Sequence, residues 1–226
     1  MDRKQNSEVL KENIVFAGKK ILDIGSGNGG LTRFMARLGA TVTGLEPSPL
    51  QLEKAHAAEA VPGASYICGG AENLDFEKGN FDSVIFFNSL HHIPEDIRFT
   101  SLKNVSEIIN ETGLIYISEP LAQGSYFETM KLIEDETEVR ADAYRQIKRC
   151  AEIGLREDQE ILYIHTVFYK SYESFRSAII APNEDRKRIF ESKDKEIRAL
   201  FDEHAQKTFK GYEFSQPMRV NILKKV

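Results

Sequence analysis

Signals for strands and helices alternate along the first 130 residues of the chain, and this order constrains the fold more than any other feature. Short apolar runs predict strands over 20–24, 41–46, 65–68, 81–88 and 113–118. The stretches between these runs carry apolar residues at helical spacing. Such an alternation predicts an α/β fold, in which helices cover both faces of a parallel sheet.

The second half of the chain has a different texture. We expect a helix over 126–151, a strand over 161–170, a charged helical stretch over 172–209 that breaks near Pro182, and a final strand over 218–223. Charges of both signs are mixed between 184 and 210, and this pattern is typical of a helix face in contact with solvent.

Composition excludes several classes of protein. The 226 residues, 41% hydrophobic and 29% charged, predict one globular domain. Thirty Lys and Arg against 35 Asp and Glu leave a net charge of −5, so nucleic acid is a poor candidate partner. No apolar run reaches the ~18 residues of a membrane span. The N-terminus shows no secretory signal and Cys68 and Cys150 lack metal-ligand spacing, so we expect a cytoplasmic protein with reduced thiols.

A glycine-rich loop follows the first predicted strand. The sequence GSGNGG from Gly25 to Gly30 satisfies the pattern G-x-G-x-x-G between a strand and a helix. Glu46 lies 19 positions beyond Gly27, at the tip of the second strand, where a carboxylate accepts hydrogen bonds from a ribose diol. These features fit NAD or any other adenosine ligand. A phosphate on that ribose, as in NADP, would be repelled by the Glu46 carboxylate.

Asp23 distinguishes between the adenosine ligands. It precedes the first glycine by two residues, and its carboxylate there would repel the diphosphate of a dinucleotide. A ligand with an ammonium group and a sulfonium, and without phosphate, would be attracted instead. S-adenosylmethionine is such a ligand. A structural role for Asp23 in tying the loop backbone together is compatible with this interpretation.

Four motifs over residues 19–120 resemble, in order and spacing, those of class I S-adenosylmethionine-dependent methyltransferases. They are ILDIGSGNGG with GLEPS after it, GGAENLDFEKGNFD, FFNSLHHIP and GLIYISEP. The resemblance is strongest to the small-molecule branch that includes ubiquinone-pathway enzymes. It implies a seven-stranded, mostly parallel, doubly wound sheet with an antiparallel last strand. The chain would form one methyltransferase domain, with residues 19–120 as its cofactor-binding core.

The resemblance also implies cofactor-binding roles for individual residues. The methionine portion would lie against Gly25, Ser26, Gly27, Asn28 and Gly29, with Asp23 and Asn88 near its amino group. The adenosine portion would be bound through its ribose by Glu46, and through its adenine by Pro47, the Ala71 backbone and the Glu72 side chain. Family members commonly have an acidic residue before that alanine, whereas this chain has Gly70, so Glu72 would have to substitute for it.

The reaction implied is an in-line methyl transfer to a small-molecule acceptor. His91 and His92 follow the fourth strand and are the candidate bases, since imidazole titrates near neutral pH. A resemblance to phosphoethanolamine methyltransferases favours His92, although the same stretch is also explained as a loop-shaping element. Glu119 would orient a substrate or bond to the loop. We find no acidic cluster near these strands and expect no metal cofactor.

Two helical segments, 121–154 and 172–210, provide the surplus chain for a lid. We expect them to build the acceptor pocket with Tyr126, Phe127 and residues near Phe175; ordinary covering helices are the alternative. A methyltransferase is the leading interpretation. A non-catalytic S-adenosylmethionine-binding module is the alternative, and an NAD-dependent oxidoreductase is a weaker one.

Overall fold

The computed structural model describes residues 1–226 and contains nine strands and eight α-helices. The strands are β1 (Asp2–Arg3), β2 (Lys20–Ile24), β3 (Thr41–Glu46), β4 (Ala64–Cys68), β5 (Phe81–Phe87), β6 (Ile109–Pro120), β7 (Leu155–Tyr169), β8 (Gln206–Thr208) and β9 (Gly211–Lys225). The helices are α1 (Asn6–Asn13), α2 (Gly30–Arg37), α3 (Pro49–Ala57), α4 (Glu95–Ile108), α5 (Ser125–Met130), α6 (Thr137–Lys148), α7 (Tyr172–Ile180) and α8 (Arg186–His204). None of the helices is both long and apolar enough to cross a membrane.

The strands form one sheet in the order β1-β7-β9-β6-β5-β2-β3-β4, and β8 pairs with β9. The pairs β2–β3, β2–β5, β3–β4 and β5–β6 are parallel. The end of β9 lies beside the beginnings of two other strands: the Val226 amide donates to the Gly154 carbonyl (3.1 Å), and Lys225 bonds to Glu111 (3.0 Å). The last strand is therefore antiparallel. The predicted fold class is confirmed, with β1 and β8 as short additions to the seven main strands.

Several elements predicted from local sequence signals are present in the structure. Strands β2 and β3 begin and end where the apolar runs predicted. The predicted cap of α3 is present, because the Ser48 hydroxyl accepts a hydrogen bond from the Gln51 amide (3.4 Å) and Pro49 occupies the first turn. The predicted break near Pro182 separates α7 from α8.

Three boundaries in the second half differ from the prediction. The helix expected over 126–151 is divided into α5 and α6, because the Asp135 carboxylate accepts hydrogen bonds from the Thr137 amide and hydroxyl and starts a new helix. Strand β7 begins at Leu155, six residues early, in a polar stretch whose acidic residues pair with basic ones such as Lys148. Strand β9 begins at Gly211, seven residues before the predicted start.

Internal contacts divide the chain into two compact units. The larger unit comprises 11–119, 139–161 and 219–226. Its core joins β5 and β6 to α4 and α6, and the residues buried there include Phe86, Leu102, Val105, Ile115 and Ile147. All the sequence-predicted cofactor and catalytic residues lie in this unit.

The smaller unit comprises 1–10, 120–138 and 162–218. Its core is an aromatic cluster, in which the Phe201 ring lies 5.2 Å from that of Phe175 and 5.1 Å from that of Phe214, measured between centroids. Phe175 is fully buried in this cluster, and Phe127 is 3% exposed. Tyr126 is partly buried and its hydroxyl bonds to that of Tyr169 (3.0 Å).

Candidate functional site

The glycine loop between β2 and α2 turns sharply and binds the neighbouring strand. The Gly25 and Ser26 amides both donate to the Leu45 carbonyl of β3, at 2.8 and 3.2 Å. Gly25 has a φ of 72°, and a Cβ added to it would lie 2.5 Å from the Cβ of Ser89. Glycine is therefore required here both by backbone conformation and by the close approach of Ser89, in the loop after β5.

Ser26 and Asn28 contribute further polar groups to the loop. The Ser26 hydroxyl is buried and has no hydrogen-bond partner in the protein. The Asn28 side chain accepts a hydrogen bond from the Gly30 amide (3.1 Å), and the Asn28 carbonyl accepts one from Arg33 (2.9 Å). An unsatisfied buried hydroxyl is costly, so the orphaned Ser26 group is a feature that a bound polar ligand would explain.

Glu46 joins the glycine loop to the end of β3. It is 7% exposed, and its two carboxylate oxygens accept hydrogen bonds from the Gly27 amide (2.8 Å) and the Ser48 amide (2.9 Å). A carboxylate offers about four lone-pair sites, so these two bonds leave acceptor capacity for ribose hydroxyls. Pro47, next to it, is exposed.

Asp23 is the buried carboxyl group beneath the loop. It is 1% exposed, and its one partner is the Thr32 hydroxyl, which donates to it at 2.7 Å. Burial raises the pKa of Asp23 to about 6, with a further increase from the nearby Glu46 charge and a partial offset from Thr32. No lysine or arginine neutralises this carboxylate, so the site favours a ligand that brings a positive charge.

The segment after β4 carries the predicted adenine contacts. Ala71 is buried, and Asn104 of α4 donates to the carbonyls of Ala71 (3.3 Å) and Glu72 (2.9 Å), which fixes this backbone. A Cβ built on Gly70 would lie 2.6 Å from the carboxyl carbon of Glu72. The Glu72 carboxylate thus occupies the space of a side chain at position 70.

Asn88 follows β5 and has a left-handed backbone. Its φ of 53° is the only positive φ among the non-glycine residues, and its amide donates to the Ser118 carbonyl (2.8 Å). Asparagine tolerates this region better than most residues, and such conformations cluster at functional sites. The turn carries the chain directly into the two histidines.

His91 and Glu119 form a buried pair at the ends of β5 and β6. They are 4% and 2% exposed, and His91 Nδ1 bonds to one Glu119 oxygen while the other accepts from the Leu90 amide (3.0 Å). Donation from Nδ1–H makes Nε2 the basic nitrogen of the ring. His92 is exposed, and its ring centroid lies 4.0 Å from that of His91.

Sequence reasoning missed Arg98, which holds the histidine loop in place. This side chain of α4 is 1% exposed and donates to the carbonyls of Leu90 (3.1 Å), His91 (2.9 Å) and Ile93 (2.7 Å). It also forms a buried ion pair with Asp142 of α6. A signal was present in the sequence, because Arg98 lies four residues before Leu102, on the inward face of the predicted helix.

Comparisons with known proteins show what the chain is similar to. Residues 21–113 match the family model described as a methyltransferase domain. The mitochondrial ubiquinone biosynthesis O-methyltransferase of Schizosaccharomyces pombe is 41% identical over 106 residues, 44% of this chain and 38% of that protein. Its namesake from Vibrio campbellii is 34% identical over 104 residues, 45% of this chain and 43% of that protein. The alignments thus span less than half of these relatives' lengths.

Solved structures extend the likeness along nearly the whole chain. The YcgJ protein of Bacillus subtilis has a TM-score of 0.62 at 16% identity and covers 97% of both chains. A TehB-like SAM-dependent methyltransferase from Corynebacterium glutamicum has a TM-score of 0.56 at 17% identity, with 98% of this chain and 88% of that chain covered. The [4+2]-cyclase SpnF has a TM-score of 0.62 at 13% identity, with 97% and 79% covered. The fold is that of the Rossmann-like methyltransferases.

The resemblance inferred from the sequence is therefore confirmed. The chain resembles class I S-adenosylmethionine-dependent methyltransferases, in its first half by sequence and over its length by fold. Within that class it is similar to ubiquinone-pathway O-methyltransferases.

The first prediction concerns Asp23. Its folded-state pKa lies above its usual value, so ionisation costs stability as the pH rises between about 4 and 6. Asp23→Asn removes this cost and should raise the free energy of unfolding of the ligand-free protein by up to ~3 kcal/mol at pH 7.5, and by about half that at pH 5. Urea unfolding followed by circular dichroism measures both values. The exposed Asp202→Asn serves as control; equal effects of the two substitutions would contradict the prediction.

The second prediction concerns the Arg98–Asp142 pair. Arg98→Met removes the buried cation paired with Asp142, which keeps only its bonds to Arg145 and Gln146, and leaves three backbone carbonyls without their donor. The free energy of unfolding should therefore fall by about 3–5 kcal/mol. Arg37→Met breaks an exposed pair with Glu59 and should cost less than about 1 kcal/mol. Chemical denaturation of both variants makes the comparison. A loss in Arg98→Met no larger than in Arg37→Met would show that the buried bonds of Arg98 do not stabilise the folded protein.

Proposed function

We propose that the chain transfers the methyl group of S-adenosylmethionine to a small-molecule acceptor by in-line displacement. The observation that carries this proposal is the buried Asp23 carboxylate beneath the glycine loop, with its raised pKa and no cationic partner. The ammonium group of a methionine moiety supplies the missing charge. The diphosphate of NAD would add negative charge beside Asp23 and Glu46, so the oxidoreductase alternative is not favoured.

The residues around the loop fit the rest of this cofactor. Glu46 retains acceptor capacity for ribose hydroxyls, the orphaned Ser26 hydroxyl lies in the loop assigned to the methionine portion, and Glu72 offers a carboxylate to the adenine amino group. When bound, the cofactor supplies a methyl carbon already activated by its sulfonium. The task of the protein is then to orient the acceptor, exclude water and remove a proton.

Proton removal falls to the histidines after β5. Glu119 orients His91 through Nδ1 and leaves Nε2 to accept the proton of the acceptor, as an oriented general base requires. His92, which the sequence favoured, is exposed. Because the relatives are named O-methyltransferases, we propose a hydroxyl group as the nucleophile and His91, ahead of His92, as its base.

Other parts of the assignment rest on the sequence. We retain the segments 121–154 and 172–210 as the proposed lid; the support is that 121–138 and 172–210 share the smaller unit, although 139–154 lies in the larger one. We also propose metal-independent chemistry. A cytoplasmic location is supported by the two unpaired cysteines.

One alternative stays open within the same fold. A protein with this fold and named as a cyclase has a TM-score of 0.62 to this chain, so the fold alone does not fix the chemistry. A module that binds S-adenosylmethionine without transferring its methyl group is therefore the second candidate. Measured turnover separates it from the first.

The third prediction tests the cofactor. Calorimetry should show saturable binding of S-adenosylhomocysteine and none of NAD. Glu46→Gln replaces a charged acceptor of the ribose by a neutral one and should weaken binding by about 10- to 100-fold. The exposed Glu59→Gln is the matched control and should bind as the wild type does. Unchanged affinity in Glu46→Gln would remove this residue from the site, and binding of NAD instead would refute the proposed cofactor.

The fourth prediction tests methyl transfer. Radiolabelled S-adenosylmethionine and a panel of phenols, carboxylated and uncharged, provide the assay. His91→Gln should lower kcat by about 10²- to 10⁴-fold and abolish the acidic limb of the pH–rate profile, while cofactor affinity stays within a few-fold. His92→Gln is the paired variant and should have the smaller effect. A larger loss in His92→Gln would assign the base to His92, and cofactor binding without turnover on any acceptor would favour the non-catalytic module.

A further inference from the structure

Arg219 of β9 has an unusual environment for an arginine. Its side chain is half-buried, and the guanidinium carbon lies 3.4 Å from the centroid of the Tyr144 ring, in a stacked cation–π arrangement. Its Nε–H donates to the side-chain oxygen of Asn221 at 3.2 Å. The stacking and this one hydrogen bond fix both the plane and the direction of the guanidinium group.

The groups that hold Arg219 are themselves anchored. The Tyr144 hydroxyl and the Asn221 amide both donate to Glu160, each at 2.9 Å, and Asn221 is 1% exposed. Lys148 in turn pairs with Glu160 (2.9 Å) and Glu157 (2.7 Å). The support for Arg219 is therefore rigid, and Lys148 balances one of the two negative charges of these carboxylates.

Strand register places Arg219 beside Glu119, the residue that is paired with His91. The Leu121 amide donates to the Pro217 carbonyl (2.8 Å), and in an antiparallel pair this register sets Glu119 opposite Arg219. Directly opposite residues project from the same face, with Cβ atoms about 5 Å apart. Glu119 forms no ion pair with Arg219; the two oxygens of Glu119 are bonded to His91 and to the Leu90 amide.

The guanidinium fork of Arg219 is left without an acceptor. Arginine has five N–H donors, and the bond to Asn221 uses only the one on Nε. Burial lowers the pKa of Arg219, and the nearby Tyr144, Glu160, Glu119 and Glu157 partly offset this effect, but an arginine remains charged at neutral pH. A preorganised guanidinium with a vacant fork and reduced hydration is suited to bind a planar oxyanion through two parallel hydrogen bonds.

We propose that Arg219 binds an oxyanion of the methyl acceptor, a carboxylate or a phosphate, so that the acceptors are acidic small molecules. This inference rests on the proposed function, because it assigns the anion to a substrate whose nucleophile reaches His91. Arg219 acts on binding and orientation, and takes no part in the proton transfer.

Anion binding to the protein loaded with S-adenosylhomocysteine tests this directly. Calorimetric titration with benzoate and, separately, with phenyl phosphate distinguishes the two oxyanions. We expect saturable 1:1 binding of at least one probe, weakened at least about tenfold in Arg219→Gln and less in Arg219→Lys, which keeps the charge but not the fork. Arg156→Gln is the matched control, since Arg156 is an exposed arginine of β7 paired with Asp158.

Unchanged affinity for S-adenosylhomocysteine in Arg219→Gln would show that the variant is folded. A preference for benzoate or for phenyl phosphate identifies the group on the acceptor. The proposal is overturned if the wild type shows no saturable binding of either probe up to about 50 mM, or if Arg219→Gln binds as tightly as the wild type. Because cofactor binding is measured on its own, loss of the anion site and failure of the proposed function give different results.

Discussion

Burial of three carboxylates at the carboxyl edge of the sheet is the constraint on which the rest of this site depends. Asp23, Glu46 and Glu119 end or nearly end three parallel strands, and each is less than a tenth exposed. None forms an ion pair with a lysine or arginine; their partners are a hydroxyl, backbone amides and His91. Buried charges need such bonds, so the loops that follow the strands are shaped to provide them.

The loop after β5 shows how this requirement spreads into the helices. Glu119 accepts hydrogen bonds from the Leu90 amide and the His91 ring, and Arg98 donates hydrogen bonds to carbonyls of the same loop. Arg98 also forms an ion pair with Asp142, which lies on α6 and is 3% exposed. Two helices and two strands therefore determine the orientation of one imidazole, and a substitution in any of them is transmitted to His91 through hydrogen bonds of the loop.

Much of this arrangement could be read from the sequence, because it depends on local signals. The glycine loop, the spacing from Gly27 to Glu46 and the cap at Ser48 involve residues close together in the chain. The acidic start of β7 could not be predicted in this way, because its acidic side chains form ion pairs with lysines of α6 and β9. The His91–Glu119 and Arg98–Asp142 pairs join residues 28 and 44 positions apart, so only the folded chain brings them together.

The state of Asp23 in the ligand-free protein has a consequence for the heat of cofactor binding. With a pKa of about 6, the carboxyl group is half protonated near pH 6. An ammonium group placed beside it lowers that pKa, so binding near pH 6 expels a fraction of a proton into the buffer. The measured enthalpy then depends on the ionisation heat of the buffer, and the affinity decreases as the solution is made more acidic. In the proposed site, Asp23 would thereby couple cofactor binding to the pH of the solution.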